Sequence, residues 1–216
     1  MKSYMVIGLG RFGTAVAQKL QELGNEVLVI DENAEQVQKL SNHVTYAVVG
    51  DARDEEVLKS LGASNFDCAI VAIGTDLAAS ILVTLNLKTL GVPKVVCKAQ
   101  DSRQAQALEK VGADRVVIPE REMGEKLAQT LASSDVLDYT ELSRDCGIVE
   151  IKTPKAWIGK DLRQMDVRVK YGVTVIAMRQ ADGEMTVFVR PDQPFGAEDI
   201  LVLLGNHDDL NRVQKL

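Results

Sequence analysis

The run Gly8-Leu9-Gly10-Arg11-Phe12-Gly13 constrains the fold of this chain more than any other segment. It is a GxGxxG set between a short apolar run at residues 4–8 and a helical pattern at residues 11–23. In that pattern Phe12, Val16, Leu20 and Leu23 share one face, and Gly24 supplies the stop. A lone GxGxxG is common, but a strand before it and a helix after it are the context in which it cradles phosphate. Gly8 permits a tight turn, Gly10 lets the backbone approach a phosphate with no Cβ in the way, and Gly13 lets helix and strand pack closely. The unpaired N–H groups and the dipole at the helix start then favour an anion. The plain alternative is a tight turn without a ligand.

The alternation continues to about residue 119. Runs rich in β-branched residues at 4–8, 26–31, 45–49, 68–72, 95–98 and 115–118 read as parallel strands covered on both faces. Helical patterns fall between them, one carrying Leu77, Ile81, Leu82 and Leu85, another running from Ser102 to Gly112. Five helices between six strands predict an α/β, Rossmann-like doubly wound parallel sheet of order 3-2-1-4-5-6. A further helix at residues 121 to about 132 follows the last strand and opens no new unit.

From Gly147 the pattern becomes a second, smaller α+β module. Strands are expected at 147–152 and 200–204, and short helices at 158–165 and 208–213. A hairpin of 173–179 and 185–189 turns at Ala181-Asp182-Gly183. The polar stretch 134–145 reads as a connection. The domains are therefore expected at 1–134, including the crossover helix, and at 135–216.

The ends of the strands carry the remaining candidates. Asp31 closes the second strand, where a carboxylate bonds ribose hydroxyls and repels a 2′-phosphate, so NADP is disfavoured. Its alternative role is to cap the helix at Ala34–Leu40. Asp51, after the third strand, is placed for the base or ribose, or else for capping the helix near 54–61. Gly74 and Thr75 follow the fourth strand and Lys98 ends the fifth, so all converge on the crevice at the switch point. Phe12 lies in the glycine loop itself. Arg11 puts positive charge at a helix start, which the dipole opposes unless an anion is bound. With Lys98 it suggests a ligand carrying more phosphate charge than one pyrophosphate; a solvated surface arginine is the alternative.

Catalysis is poorly supported. A dehydrogenase needs a positioned acid–base group. The two histidines, His43 and His207, fall in expected loop or helix-edge positions and read as surface residues. Residues 147–216 lack any Ser/His/Asp, Cys/His or metal-ligand cluster. The formal charge is −6 with no concentration of Lys and Arg, which argues against nucleic acid and lipid surfaces as partners. No apolar run is long enough to span a bilayer, and residues 4–7 are too short for a signal peptide's core. Cys68, Cys97 and Cys146 share no CxxC spacing and fit a reducing compartment.

Together VIGLGRFG, Asp31, VAIG at 71–74, KAQ at 98–100 and GADRVVIPEREMG at 112–124 resemble the regulators of potassium conductance. The resemblance is to the cytosolic subunits of Ktr- and Trk-type potassium uptake systems, and it covers nearly the whole chain. VRVKYGVTVIA at 167–177 and EDILVLLG at 198–205 resemble that family's second, ligand-binding and dimerising domain. The resemblance implies a cytoplasmic regulator on the inner face of the membrane, built as dimers in an octameric ring and docked on a membrane-embedded potassium channel or transporter subunit. It implies ATP or ADP in the N-terminal crevices, with the loop arginine at Arg11, the ribose carboxylate at Asp31 and the strand-five lysine at Lys98. Glu120 would help hold a divalent cation, Mg²⁺ or Ca²⁺, near the nucleotide. Asp166, Val167 and Arg168 match a stretch that in some relatives binds cyclic di-AMP. The reading from a different class is an NAD-dependent oxidoreductase or an NAD(H)-sensing regulator.

Overall fold

The computed structural model describes residues 1–131, 136–143 and 145–216. They pack as two compact units, Met1–Arg121 and Glu122–Leu216. The division falls earlier than the expected boundary at residue 134, within the helix that follows the last parallel strand.

The first unit alternates strands and helices in chain order. Its strands are β1 (Ser3–Ile7), β2 (Glu26–Asp31), β3 (Tyr46–Val49), β4 (Cys68–Val71), β5 (Val95–Lys98) and β6 (Arg115–Val117). Between them run α1 (Arg11–Glu22), α2 (Ala34–Leu40), α3 (Glu55–Ser60), α4 (Leu77–Thr89) and α5 (Ser102–Lys110), and α6 (Pro119–Leu131) follows β6. The six strands are parallel in the order β3-β2-β1-β4-β5-β6, as the alternating pattern predicts.

Neighbouring residues of β1 point to opposite faces of the sheet. Met5 and Ile7 join Leu58, Val83, Leu87 and Leu108 from α3, α4 and α5. Val6 joins Ala17, Val37 and Leu40 from α1 and α2. Helices thus cover both faces, which is why the strands read as continuous apolar runs. Side-chain caps start most of the helices: Asn33 for α2, Asp54 for α3, Asp76 for α4 and Asp101 for α5.

The second unit is an antiparallel sheet of order β10-β9-β11-β8-β7. Its strands are β7 (Val136–Ser143), β8 (Cys146–Lys152), β9 (Val173–Arg179), β10 (Met185–Val187) and β11 (Ile200–Asn206). Its helices are α7 (Leu162–Met165), α8 (Val167–Tyr171) and α9 (His207–Val213). Val149, Ile151, Leu201 and Leu203 turn one face of the sheet toward Trp157, Phe195 and Leu210.

Three expectations for this unit are corrected. The described part of the expected connection is strand β7, which pairs along β8. It lies at the sheet edge, where polar side chains such as Asp138, Thr140 and Glu141 are tolerated and discourage pairing with other chains. The helix expected at 158–165 is shorter, α7 at Leu162–Met165, and a separate helix, α8 at Val167–Tyr171, follows it. Gly159 takes a positive φ, Asp161 and Gln164 form a capping box that starts α7, and Asp166 at φ 44° separates α7 from α8. The strand expected at 185–189 stops at Val187, because Phe188 adopts φ 67°. Residues 132–135 and 144, part of the expected connection and helix end, lie outside the described residues.

The tightest approach in the first unit lies at Gly13. A Cβ there would overlap the Gly8 carbonyl oxygen and stand 3.0 Å from the Ala72 Cβ. Gly13→Ala should therefore destabilise the fold by about 1–3 kcal/mol, through overpacking that backbone atoms cannot relieve. Denaturant unfolding checks this; a midpoint equal to the parent's would show that α1 and β1 are free to separate.

Candidate functional site

The site grows from the carboxyl end of β1, where the strand order reverses between β1 and β4. Gly8 turns the chain with φ 93°, and a Cβ on it would press against the Ala72 backbone at 3.1 Å. Gly10 then starts α1 with φ −67° and ψ −177°, a conformation open to any residue, and a Cβ there would have nothing within 4 Å. Gly8 and Gly13 are glycines for the fold. Gly10 is not.

The start of α1 is bare. Gly10 offers no side-chain cap, and no acidic residue stands in the first turn. The N–H groups of Gly10, Arg11, Phe12 and Gly13 have no acceptor among the described residues, the first bond being from Thr14 N–H to the Gly10 carbonyl at 3.0 Å. Arg11 is exposed at the first helical position, where it adds positive charge to the dipole.

Asp31 ties the neighbouring strand to this loop. Leu9 N–H donates to its Oδ2 at 2.6 Å, and Asn33 N–H donates to its Oδ1 at 2.8 Å. The cap of α2 is Asn33, so Asp31 does not fill the alternative role weighed for it. Its carboxylate keeps unused lone pairs at the crevice.

Lys98 is the second cation of the site. Its side chain is 13% exposed, and its Nζ donates to Glu120 Oε1 at 2.7 Å. The same Nζ lies 5.9 Å from the Phe12 ring centroid and 3.7 Å from where a Cβ on Gly74 would be. Phe12 is otherwise packed with Val16 and Leu20 against the α1 side of the core. The structure thus brings Phe12, Gly74, Lys98 and Glu120 together. Lys98 holds the Glu120 carboxyl below the usual carboxylate range, with a smaller contribution from Arg11. Thr75 is exposed in the loop before Asp76.

Within one chain these residues do not fit a divalent cation. Glu120 is a single carboxylate already bonded to a lysine, and no group of three or more His, Cys, Asp or Glu converges among the described residues.

Asp51 does not cap α3, whose N-cap is Asp54. Both of its oxygens are taken by the Arg53 guanidinium, with Nε to Oδ1 and Nη2 to Oδ2 each at 2.8 Å. That pairing draws the Asp51 carboxyl below its ordinary range. Nη2 also donates to Glu32 Oε1 at 2.7 Å. Sequence reasoning missed Arg53 and Glu32. The signal was present in Asp51-Ala52-Arg53, since an aspartate after a strand often bonds the residue two ahead.

In the second unit, Asp166 and Arg168 are exposed, whereas Val167 is 5% exposed and belongs to the core. His43 is exposed as expected. His207 is not a simple surface residue: it is half-buried and its Nδ1 hydrogen-bonds the Tyr139 hydroxyl.

A TrkA-N domain model matches residues 4–119 and a TrkA-C domain model matches residues 147–216. Ktr system potassium uptake protein C of Bacillus subtilis (strain 168) is 42% identical over 214 residues, covering 99% of this chain and 96% of that protein. Ktr system potassium uptake protein A of the same organism is 40% identical over 213 residues, with 99% and 96% covered. Among solved structures, the GsuK channel bound to NAD matches all of this chain with a TM-score of 0.69 at 18% identity, and the chain spans 39% of its length. GsuK bound to ADP matches 62% of the chain with a TM-score of 0.53 at 18% identity, over 36% of its length. These two likenesses show the fold, whereas the uptake proteins match almost end to end. No helix among the described residues is long and apolar enough to cross a membrane. The chain therefore belongs to the TrkA-N/TrkA-C family of regulators of potassium conductance, with the potassium uptake proteins of the Ktr system rather than with dehydrogenases.

Proposed function

We propose that this chain is the cytosolic, nucleotide-sensing regulatory subunit of a potassium uptake system. ATP or ADP bound at the start of α1 sets the gating of a membrane-embedded potassium channel or transporter subunit. The observation that carries the reading is Gly10, a glycine that neither backbone conformation nor packing requires, over an uncapped helix start. Arg11 and Lys98 favour concentrated phosphate charge, and Asp31 suits ribose hydroxyls.

Assembly as dimers in an octameric ring is part of this reading, by resemblance to the family. Driving such a ring from about 1:99 to 99:1 needs roughly 10⁴-fold differential affinity. Shared over eight equivalent sites, that is only about threefold per site. A divalent cation enters here only if nucleotide oxygens and a second copy complete what Glu120 begins, since one chain supplies a single carboxylate. Cyclic di-AMP at Asp166, Val167 and Arg168 is a further element, resting on exposed Arg168 for phosphate while Val167 serves the core. NAD(H) is the second reading of the same crevice. GsuK has been solved with NAD, and Asp31 suits NAD better than NADP.

Gly10→Ala should weaken ATP and ADP by about tenfold or more while leaving thermal stability near the parent's, since the new Cβ meets only the ligand. Calorimetry and a melting curve test both halves; unchanged affinity would leave the loop without a ligand role. Arg11→Ala should keep ADP binding and lose the ATP-dependent change in ring shape and potassium uptake. Scattering on the purified ring, with uptake by cells carrying its membrane partner, decides this, and a variant that responds to ATP like the parent places the sensor elsewhere. Arg168→Ala should lose cyclic di-AMP binding without altering ATP affinity. A parent protein that does not bind cyclic di-AMP ends that part of the reading.

A further inference from the structure

Arg53 lies on the side of the crevice away from the phosphate loop. Glu32 follows Asp31 at the end of β2, and Asp51 follows the end of β3, whose Val49 pairs in register with Asp31. From the glycine loop outward along these strand ends come Leu9, then Asp31, then the cluster of Glu32, Asp51 and Arg53. A nucleotide with its phosphates on α1 and its ribose at Asp31 points its base toward β3.

The guanidinium is held at fixed points but not used up. Nε and Nη2 donate to Asp51 and Glu32, whereas the two N–H groups of Nη1 have no acceptor among the described residues. Asn86 of α4 donates to the Arg53 carbonyl at 2.9 Å, which pins the loop that carries the side chain. The side chain is 43% exposed. A planar cation fixed in this way presents free donors and a stacking face at a set position. It also occupies the carboxylates of Glu32 and Asp51, so that they do not face the base as free anions.

We propose that Arg53 is a specificity-determining residue for the nucleotide, holding Asp51 and Glu32 back and offering its Nη1 donors and guanidinium face to a purine base. The inference rests on the nucleotide reading of the α1 start and adds the part of the ligand that the glycine loop does not touch.

Calorimetry on the full chain tests it with two probes, ADP and inorganic tripolyphosphate, the second carrying phosphates without a base. Arg53→Ala should weaken ADP by about tenfold or more and shift tripolyphosphate by less than about twofold, since only the base end is changed. Arg53→Lys keeps the charge but not the fork or the plane, and should leave ADP at least about threefold weaker than in the parent. Arg53→Gln serves in place of the alanine variant if melting curves show that the latter fails to fold. Unchanged ADP affinity, equal losses for both probes, or full recovery by lysine would each overturn the proposal. A parent chain that binds tripolyphosphate but not ADP overturns it while leaving an anion site at α1. A parent that binds neither overturns the nucleotide reading, and this inference with it.

Discussion

Gly13 sits so close beneath the Gly8 carbonyl that no side chain fits between α1 and the turn from β1, and Gly8 itself lies on the Ala72 backbone after β4. Two strands and a helix are thereby locked at one point. The lock fixes the start of α1 over the strand ends, where Leu9 N–H meets the Asp31 carboxylate. It also sets Phe12 where the Lys98 ammonium approaches its ring. Loosening this contact would displace the loop donors, the Asp31 carboxylate and the lysine together.

Charge in the crevice is divided by strand. On the β4–β5 side, Arg11 is exposed and Lys98 is held back by Glu120, so positive charge is present but partly engaged. On the β2–β3 side, carboxylates dominate and Arg53 binds two of them. Under the proposed function, a phosphate at Lys98 competes with Glu120 for the lysine. That competition offers a route from ligand charge to α6, because Glu120 stands in the first turn of that helix.

Much of the first unit was legible because strands buried on both faces leave unbroken apolar runs, and because the glycine motif stood between the right elements. β7 was not legible, since an edge strand packs little of itself: Tyr139 reaches the core, while Asp138, Thr140 and Glu141 read as a linker. The break between α7 and α8 was hidden in the single left-handed residue Asp166, whose type gives weak warning. In the site, the glycines, Asp31, Arg11 and Lys98 could be placed from their strand and helix positions. The ion pairs could not. Arg53 meets Glu32 across 21 residues and Lys98 meets Glu120 across 22, distances over which sequence carries no pairing signal.

The strand order also bears on how the first unit assembles. β1 stands at the centre of the sheet, and one of its edges is completed only by β4, where Tyr4 pairs with Cys68 and Ser3 bonds Asp67. Contacts this far apart in sequence are slow to form, because a long loop must close before they repay its entropy. While a ribosome is still making the stretch before β4, the β1 turn has no Ala72 to rest on, and the glycine lock cannot engage. The crevice is begun by the earliest residues of the unit but closed among its later steps. A newly made chain therefore completes the floor of this crevice only after half the unit has emerged.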